Sequence, residues 1–307
     1  MAKPVDEPRL PPELEAEIFA YAASMGDQTA TVLMRVAKRV RDWITPILYG
    51  VVTFQTPVQL EAFPTHEVQY AEHVQHLLIM AGVPIADEPT LSFITKSKRV
   101  YNVAIWTTEY PDQLIDILQT LPIRRLSLAA PRWFPSSNTD STRPWKLTSF
   151  QHLTHLELVC AVDKWEEVVE LSDLPNLTHL NWNVPYYYEV VAGSLTNCSK
   201  VEVLLLSSLS EPPPLQIDDD RIVYLHVLDW EDEWLVGGKK RNRQGDWWSR
   251  AEEVIEERRR PVVKSISQSS DISTSICDKI SSEDHVTGAD LKEHGAIASL
   301  FVVLDES

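Results

Sequence analysis

Apolar residues alternate with polar ones in short bursts along most of the chain: Leu77-x-Ile79, Val103-x-Ile105, Leu126-x-Leu128, Leu156-x-Leu158, Leu180-x-Trp182, Leu204-x-Leu206 and Leu225-x-Val227. A period of two is that of a half-buried strand, whose successive side chains point to opposite faces. The pairs begin 26, 23, 30, 24, 24 and 21 residues apart. One stretch repeats literally, Leu153-Thr154-His155-Leu156 returning as Leu177-Thr178-His179-Leu180 after 24 residues. Between strands the period lengthens to that of a helix. Leu114, Ile117, Leu118 and Leu121 share a face after Pro111 and stop at Pro122, and Trp165 to Leu171 and Tyr186 to Leu195 are further helical candidates. A strand, loop, helix, loop unit cannot hide its own apolar face, so neighbouring units must stack and share a core.

Residues 9–50 carry a different pattern. Leu10-Pro11-Pro12-Glu13-Leu14 places proline in a first helical turn, where its missing N–H is not needed, and sets Glu13 against the positive end of the helix dipole. Leu14, Ile18 and Tyr21 then fall at i, i+4 and i+7, and Gly26 marks the end. Asp27 is a candidate N-cap for a second helix, along which Leu33, Val36, Val40, Trp43 and Ile47 recur at spacings of three and four. Pro46 is expected to break that helix and, with Thr45 as cap, to open a third short one carrying Ile47, Leu48 and Tyr49. So small a group must bury apolar area against a partner, the following domain, or both.

These residues resemble the F-box, in the divergent form of fungal, basidiomycete-type F-box-like proteins. The resemblance rests on Leu10-Pro11-x-Glu13-Leu14, Ile18-Phe19, Leu33-x-x-Val36-x-x-x-Val40-Arg41-x-Trp43 and Leu48-Tyr49. It implies docking on the Skp adaptor of a Skp/cullin/F-box ubiquitin ligase, with the rest of the chain holding a protein substrate. Leu10, Pro11, Leu14, Ile18 and Phe19 would form the leading adaptor-facing ridge, and Val36 and Trp43 would be shared between that ridge and the module's own core. A purely structural role, capping the N-terminal end of the array, is the competing reading.

The strand intervals suit a leucine-rich-repeat-like strand/helix solenoid over 51–260. The Asn or Cys that such repeats carry after the strand does not recur, so an α/β sandwich with a mostly parallel sheet is the alternative. Asp229 to Trp234, the Gly237-Gly238 turn and Asp246 to Glu252 are similar to the closing segment of the same F-box-like proteins, an acidic aromatic loop and then a terminal helix. That helix, about Asp246 to Arg260, would turn Trp247, Ala251, Val254 and Ile255 inward as a C-terminal helical cap. Pro261 breaks it, and the Ser, Asp and Lys composition from Ser265 predicts a disordered tail over 261–307, within which Ile297 to Leu304 is strand-like. The expected fold is thus α/β: a three-helix module over 9–50, the array over 51–260 and the tail.

Composition narrows the partners. Forty-five acidic residues against 28 basic give a net charge of −17, which disfavours nucleic acid, since that affinity rests on neutralising phosphates with Lys and Arg. Cys160, Cys198 and Cys277 are distant and odd in number, as suits a reducing compartment. Met1 to Arg9 lacks a signal-peptide core and no apolar run is long enough for a membrane span, so a cytoplasmic and/or nuclear protein is expected. Asn197-Cys198-Ser199 reads as a chance sequon.

No motif in the chain completes a catalytic or ligand-binding signature. Gly237-Gly238-Lys239-Lys240 lacks the spacing that cradles phosphates and reads as a solvated turn. Asp218-Asp219-Asp220 lacks the alternating ligands of a calcium loop. His152 and His155, three apart on a strand, would point to opposite faces rather than share a metal. No nucleophile elbow is present. The expectation is therefore a non-catalytic substrate receptor with no cofactor and no metal, working by proximity; the alternative is an interaction scaffold without ligase association. Its substrate surface is undefined, with His155, Glu157, His179 and Asn181 as outward-facing strand positions.

Overall fold

From its N-terminus the computed structural model forms α1 (Pro12–Ser24), α2 (Asp27–Leu33) and α3 (Lys38–Leu48), followed by β1 (Val51–Phe54) and α4 (Pro57–Ala62). The structure describes residues 10–62, 67–80, 82–107, 111–129, 148–159, 171–183, 188–208, 217–227, 229–239 and 246–260. Two compact units divide the chain, 1–258 and 259–307. The expected tail over 261–307, and Cys160, lie outside the described residues.

The second helix stops earlier than its apolar spacing suggests. Arg35 N–H donates to Val32 O and Val36 N–H to Leu33 O, a tightened turn, and Ala37 is extended at φ −160 and ψ 158. Breaking there lets α3 turn Val40 and Ile44 onto Ala23 and Ala30, the centre of a small helical core. Pro46 does not begin a third helix either. It sits inside the last turn of α3, where little helix remains to be disrupted, and the Thr45 hydroxyl donates to Arg41 O at 2.8 Å.

Seven more strands follow: β2 (His76–Met80), β3 (Asn102–Trp106), β4 (Arg125–Ala129), β5 (His155–Val159), β6 (His179–Asn183), β7 (Val203–Ser208) and β8 (Ile222–His226). With β1 they make one eight-stranded sheet in chain order, parallel throughout. The alternating pairs line up as rows. Val52, Leu77, Val103, Leu126, Leu156, Leu180, Leu204 and Ile222 are in register across all eight strands. The last pair is Ile222-x-Tyr224, three residues before the expected Leu225-x-Val227. The literal repeat has a local cause. Thr154 Oγ1 donates to Arg124 O and Thr178 Oγ1 to Thr154 O, so each threonine ties its strand to the residue entering the strand before.

These rows face α5 (Glu88–Lys96), α6 (Asp112–Leu118), α7 (Tyr188–Asn197) and short 3-10 helices at Glu67–His73, Thr148–His152 and Leu171–Asp173. The sheet's second face is also covered. Here α8 (Trp230–Lys239) lies against β1 and β2, with Trp234 edge-on to His76 and Gln55 hydrogen-bonded to Glu231. Next, α9 (Trp247–Arg259) crosses from β4 to β8. Its first turn is tied to Arg125 through Asp246, Trp248 meets His155 and His179, and Arg258 donates to Ile222 O at 2.6 Å. This corrects the open solenoid: the crossovers do not repeat one element, and helices cover both faces of the sheet, the arrangement typical of parallel sheets. It also corrects the terminal cap, because α9 covers a face and not an end.

The acidic aromatic loop and glycine turn are likewise corrected, since both lie within α8. The glycines serve close approach. A Cβ on Gly237 would lie 2.9 Å from Asp246 Cβ, and one on Gly238 3.1 Å from Val51 Cγ2. Alanine in an exposed helix gains about 1 kcal/mol over glycine. Gly237→Ala is expected to reverse that sign and destabilise by about 1–2 kcal/mol, because the collision is with a carbon held by its neighbours. Chemical denaturation checks this; a more stable variant would show that Asp246 can move freely.

Candidate functional site

The second face of the sheet collects the polar strand positions. His76, Asn102, Arg125, His155 and His179 form one row, and Ser127, Glu157 and Asn181 the next. Beneath the covering helices a hydrogen-bonded ladder crosses five strands. Trp106 Nε1–H donates to Ser127 Oγ at 2.7 Å, Ser127 bonds Glu157, Asn181 Nδ2 donates to Glu157 Oε1 at 3.0 Å, and Ser207 Oγ donates to Asn181 Oδ1 at 2.7 Å. Burial raises the Glu157 carboxyl to about 7, against the two hydrogen bonds that favour its charge. Burial lowers the neighbouring His155 imidazole to about 2, with repulsion from His179 and Arg125 added. His155 and His179 stack at 4.1 Å, both edge-on to Trp248. His179 Nε2 is 2.9 Å from Glu252 Oε1, yet burial still lowers its pKa overall.

This is polar architecture without an open site. Between the ladder, Arg125, Trp234 and Asp246 lies a cavity of about 20 Å³, room for about one water molecule. The strand positions expected to face outward do leave the core, but Glu157, His179 and Asn181 are buried under α9, so none offers a substrate surface. His152 is exposed on its 3-10 helix while His155 packs on Trp248. Asp219 is engaged by Arg221 through both carboxylate oxygens. Burial raises the Cys198 thiol to about 11, which removes it as a nucleophile at neutral pH. Among the described residues no group of three or more His, Cys, Asp or Glu is placed to hold a metal, and no helix is long and apolar enough to cross a membrane.

The helical module is the opposite case, apolar and open. Its core is Ala23, Ala30, Val40 and Ile44, with Phe19 and Trp43 packed against it, ring centres 6.4 Å apart, and Arg39 bound to Glu15 at 2.8 Å. Outside that core, Leu10, Leu14, Ile18, Tyr21, Met25, Val32, Val36 and Ile47 are 37% to 71% exposed. Among the described residues only Val58 and Tyr188 are other exposed large hydrophobics, so this exposure is concentrated in one module and not scattered as on an ordinary surface. Leu14, Ile18, Tyr21 and Met25 recur every three or four residues and make one outward stripe along α1.

Of the residues expected on the ridge, Leu10, Pro11, Leu14 and Ile18 are exposed, whereas Phe19 turns inward to Trp43. Val36, expected to be shared with the core, is exposed; Trp43 is half-buried against Phe19. Tyr21 and Met25 extend the stripe. Helical spacing marks them as one face with Leu14, but spacing alone does not say whether that face turns inward or outward. No family model matches the chain, and no curated protein is similar enough to it to serve as a relative.

Proposed function

We propose that this chain is a non-catalytic docking protein whose three-helix module binds a Skp-type adaptor of a Skp/cullin/F-box ubiquitin ligase and whose sheet-bearing region holds a protein substrate. The reading unites the F-box-like residue pattern with one observation, the exposed stripe Leu14, Ile18, Tyr21 and Met25. An apolar face of this kind is what an adaptor covers when helix meets groove, with anchors at i, i+4 and i+7. The mechanism is proximity: a bound substrate's lysines gain effective concentration near the charged conjugating enzyme, and no residue of this chain makes or breaks a bond.

The test is capture of the full chain by purified Skp adaptor, with Leu14→Asp as the variant. Leu14 is about half exposed and outside the module's core, so the variant should fold, with an unchanged circular dichroism spectrum. Binding by the wild type that is lost in Leu14→Asp supports the assignment. No binding by the folded wild type leaves an interaction scaffold without ligase association.

A further inference from the structure

The cavity of about 20 Å³ beneath the cover is lined from three directions, by Trp234 of α8, Trp247 at the start of α9, and Ser127 and Glu157 of the sheet. Its two indoles are unusual. Trp234 and Trp247 are 4% and 3% exposed, and their N–H groups find no acceptor among the described residues. Other buried indoles are paired, Trp106 donating to Ser127 at 2.7 Å and Trp182 to Ser194 at 3.0 Å. A buried donor without an acceptor forfeits its hydration, so two such donors on one cavity call for an occupant. Indole nitrogen only donates, and that occupant must therefore accept. The space admits about one water molecule. Around it stand Ser127, Glu157, Glu233 and Asp246. Asp246 is paired with Arg125 at 2.8 Å and Glu233 with Arg250 at 2.6 Å, yet carboxyl oxygens keep lone pairs beyond one such contact. An occupant that accepts twice and donates in return suits this lining. A halide would accept as well, but against the charge of those carboxylates.

We propose that this cavity is a binding site for one resident water molecule, which accepts from the Trp234 and Trp247 indoles and donates to carboxyl oxygens of the lining, joining α8, α9 and the sheet through itself. Buried water of this kind makes about three hydrogen bonds and is costly to remove. The site is independent of adaptor docking. Its test is a crystal structure of the full chain grown in sodium bromide. A density peak without anomalous signal, about 2.7–3.2 Å from both indole nitrogens, is expected. Anomalous signal at that point would make the occupant an anion, and no peak, or a protein acceptor on either indole, would leave no water to bind; each result overturns the proposal. Trp247→Phe provides a second measurement, because it keeps an aromatic ring and removes the N–H. By urea unfolding it should lower the folding equilibrium constant roughly fivefold more than Trp230→Phe does, the worth of about one hydrogen bond. Trp230 is comparably buried and its indole N–H is also unpartnered, but it lies outside the lining. An equal or smaller loss in Trp247→Phe would overturn the proposal, since removing an unmet donor costs nothing beyond the ring.

Discussion

Replacing Glu157 by glutamine is expected to stabilise the protein at pH 8. The carboxyl is fully enclosed, hydrogen-bonded to Ser127 and Asn181, and raised to about 7 by burial. Its folded value lies above its unfolded value, so its contribution is complete below an ordinary carboxyl pKa and is lost as pH rises through about 7. At about 1.4 kcal/mol per unit, the loss by pH 8 is up to about 3 kcal/mol. Glutamine fits the same shape, accepts from Asn181 and donates to Ser127, and carries no proton to lose. His155 works in the opposite sense. Its folded value of about 2 lies below the unfolded one, so its contribution is present above about 6.5 and declines as pH falls. His179, also lowered, adds to that decline. Between about 4.5 and 6.5 the carboxyl and imidazole slopes therefore oppose each other in the wild type. The variant should unmask the histidines, with stability rising with pH over that window, by urea unfolding at several pH values. A variant less stable than the wild type at pH 8 would show that Glu157 works ionised, held by Ser127 and Asn181.

Why such a group lies under a helix explains what the chain pattern could and could not reveal. The rows from Leu77 to Leu204 were legible because alternation needs only local sequence: Leu156-x-Leu158 points one way whatever covers it. The face of Glu157 and Asn181 was not, because alternation assigns a side and not a cover. Their cover is α9, which begins 90 residues after Glu157 and 66 after Asn181, so a polar strand position that resembles surface is interior. The same limit hid β1, whose Val51-Val52-Thr53-Phe54 is too short to show a period. At Gly237-Gly238 a sign of flexibility in sequence proves to be a sign of contact, because the room a turn would need is taken by Asp246 and Val51. In the module, the start of α1 at Pro12 and the sharing of one face by Leu14, Ile18 and Tyr21 were legible in the sequence. The division into α2 and α3 was not, since nothing in Met34-Arg35-Val36-Ala37 breaks a helix; packing of Val40 and Ile44 decides it.

Asp246→Ala tests what holds that cover in place. Asp246 is buried and does two jobs: Oδ1 accepts from Ser249 N–H at 3.0 Å as the N-cap of α9, and Oδ2 accepts from Arg125 Nη1 at 2.8 Å. Losing the cap costs about 1 kcal/mol. Losing a buried partner costs about 3–5 kcal/mol, which the partial exposure of Arg125 reduces to about 2. Alanine should therefore cost about 3 kcal/mol and asparagine, which keeps the cap, about 2. The loss should be local first. Arg125, no longer paired, favours a solvated position that α9 blocks, so amide exchange in 247–259 should accelerate before exchange in β4 to β6 does. If both variants cost less than about 0.5 kcal/mol, the ion pair and cap are incidental, and the packing of Trp247, Ala251 and Ile255 alone holds the helix on the sheet. Equal costs for alanine and asparagine would assign the whole effect to Arg125 and none to the cap.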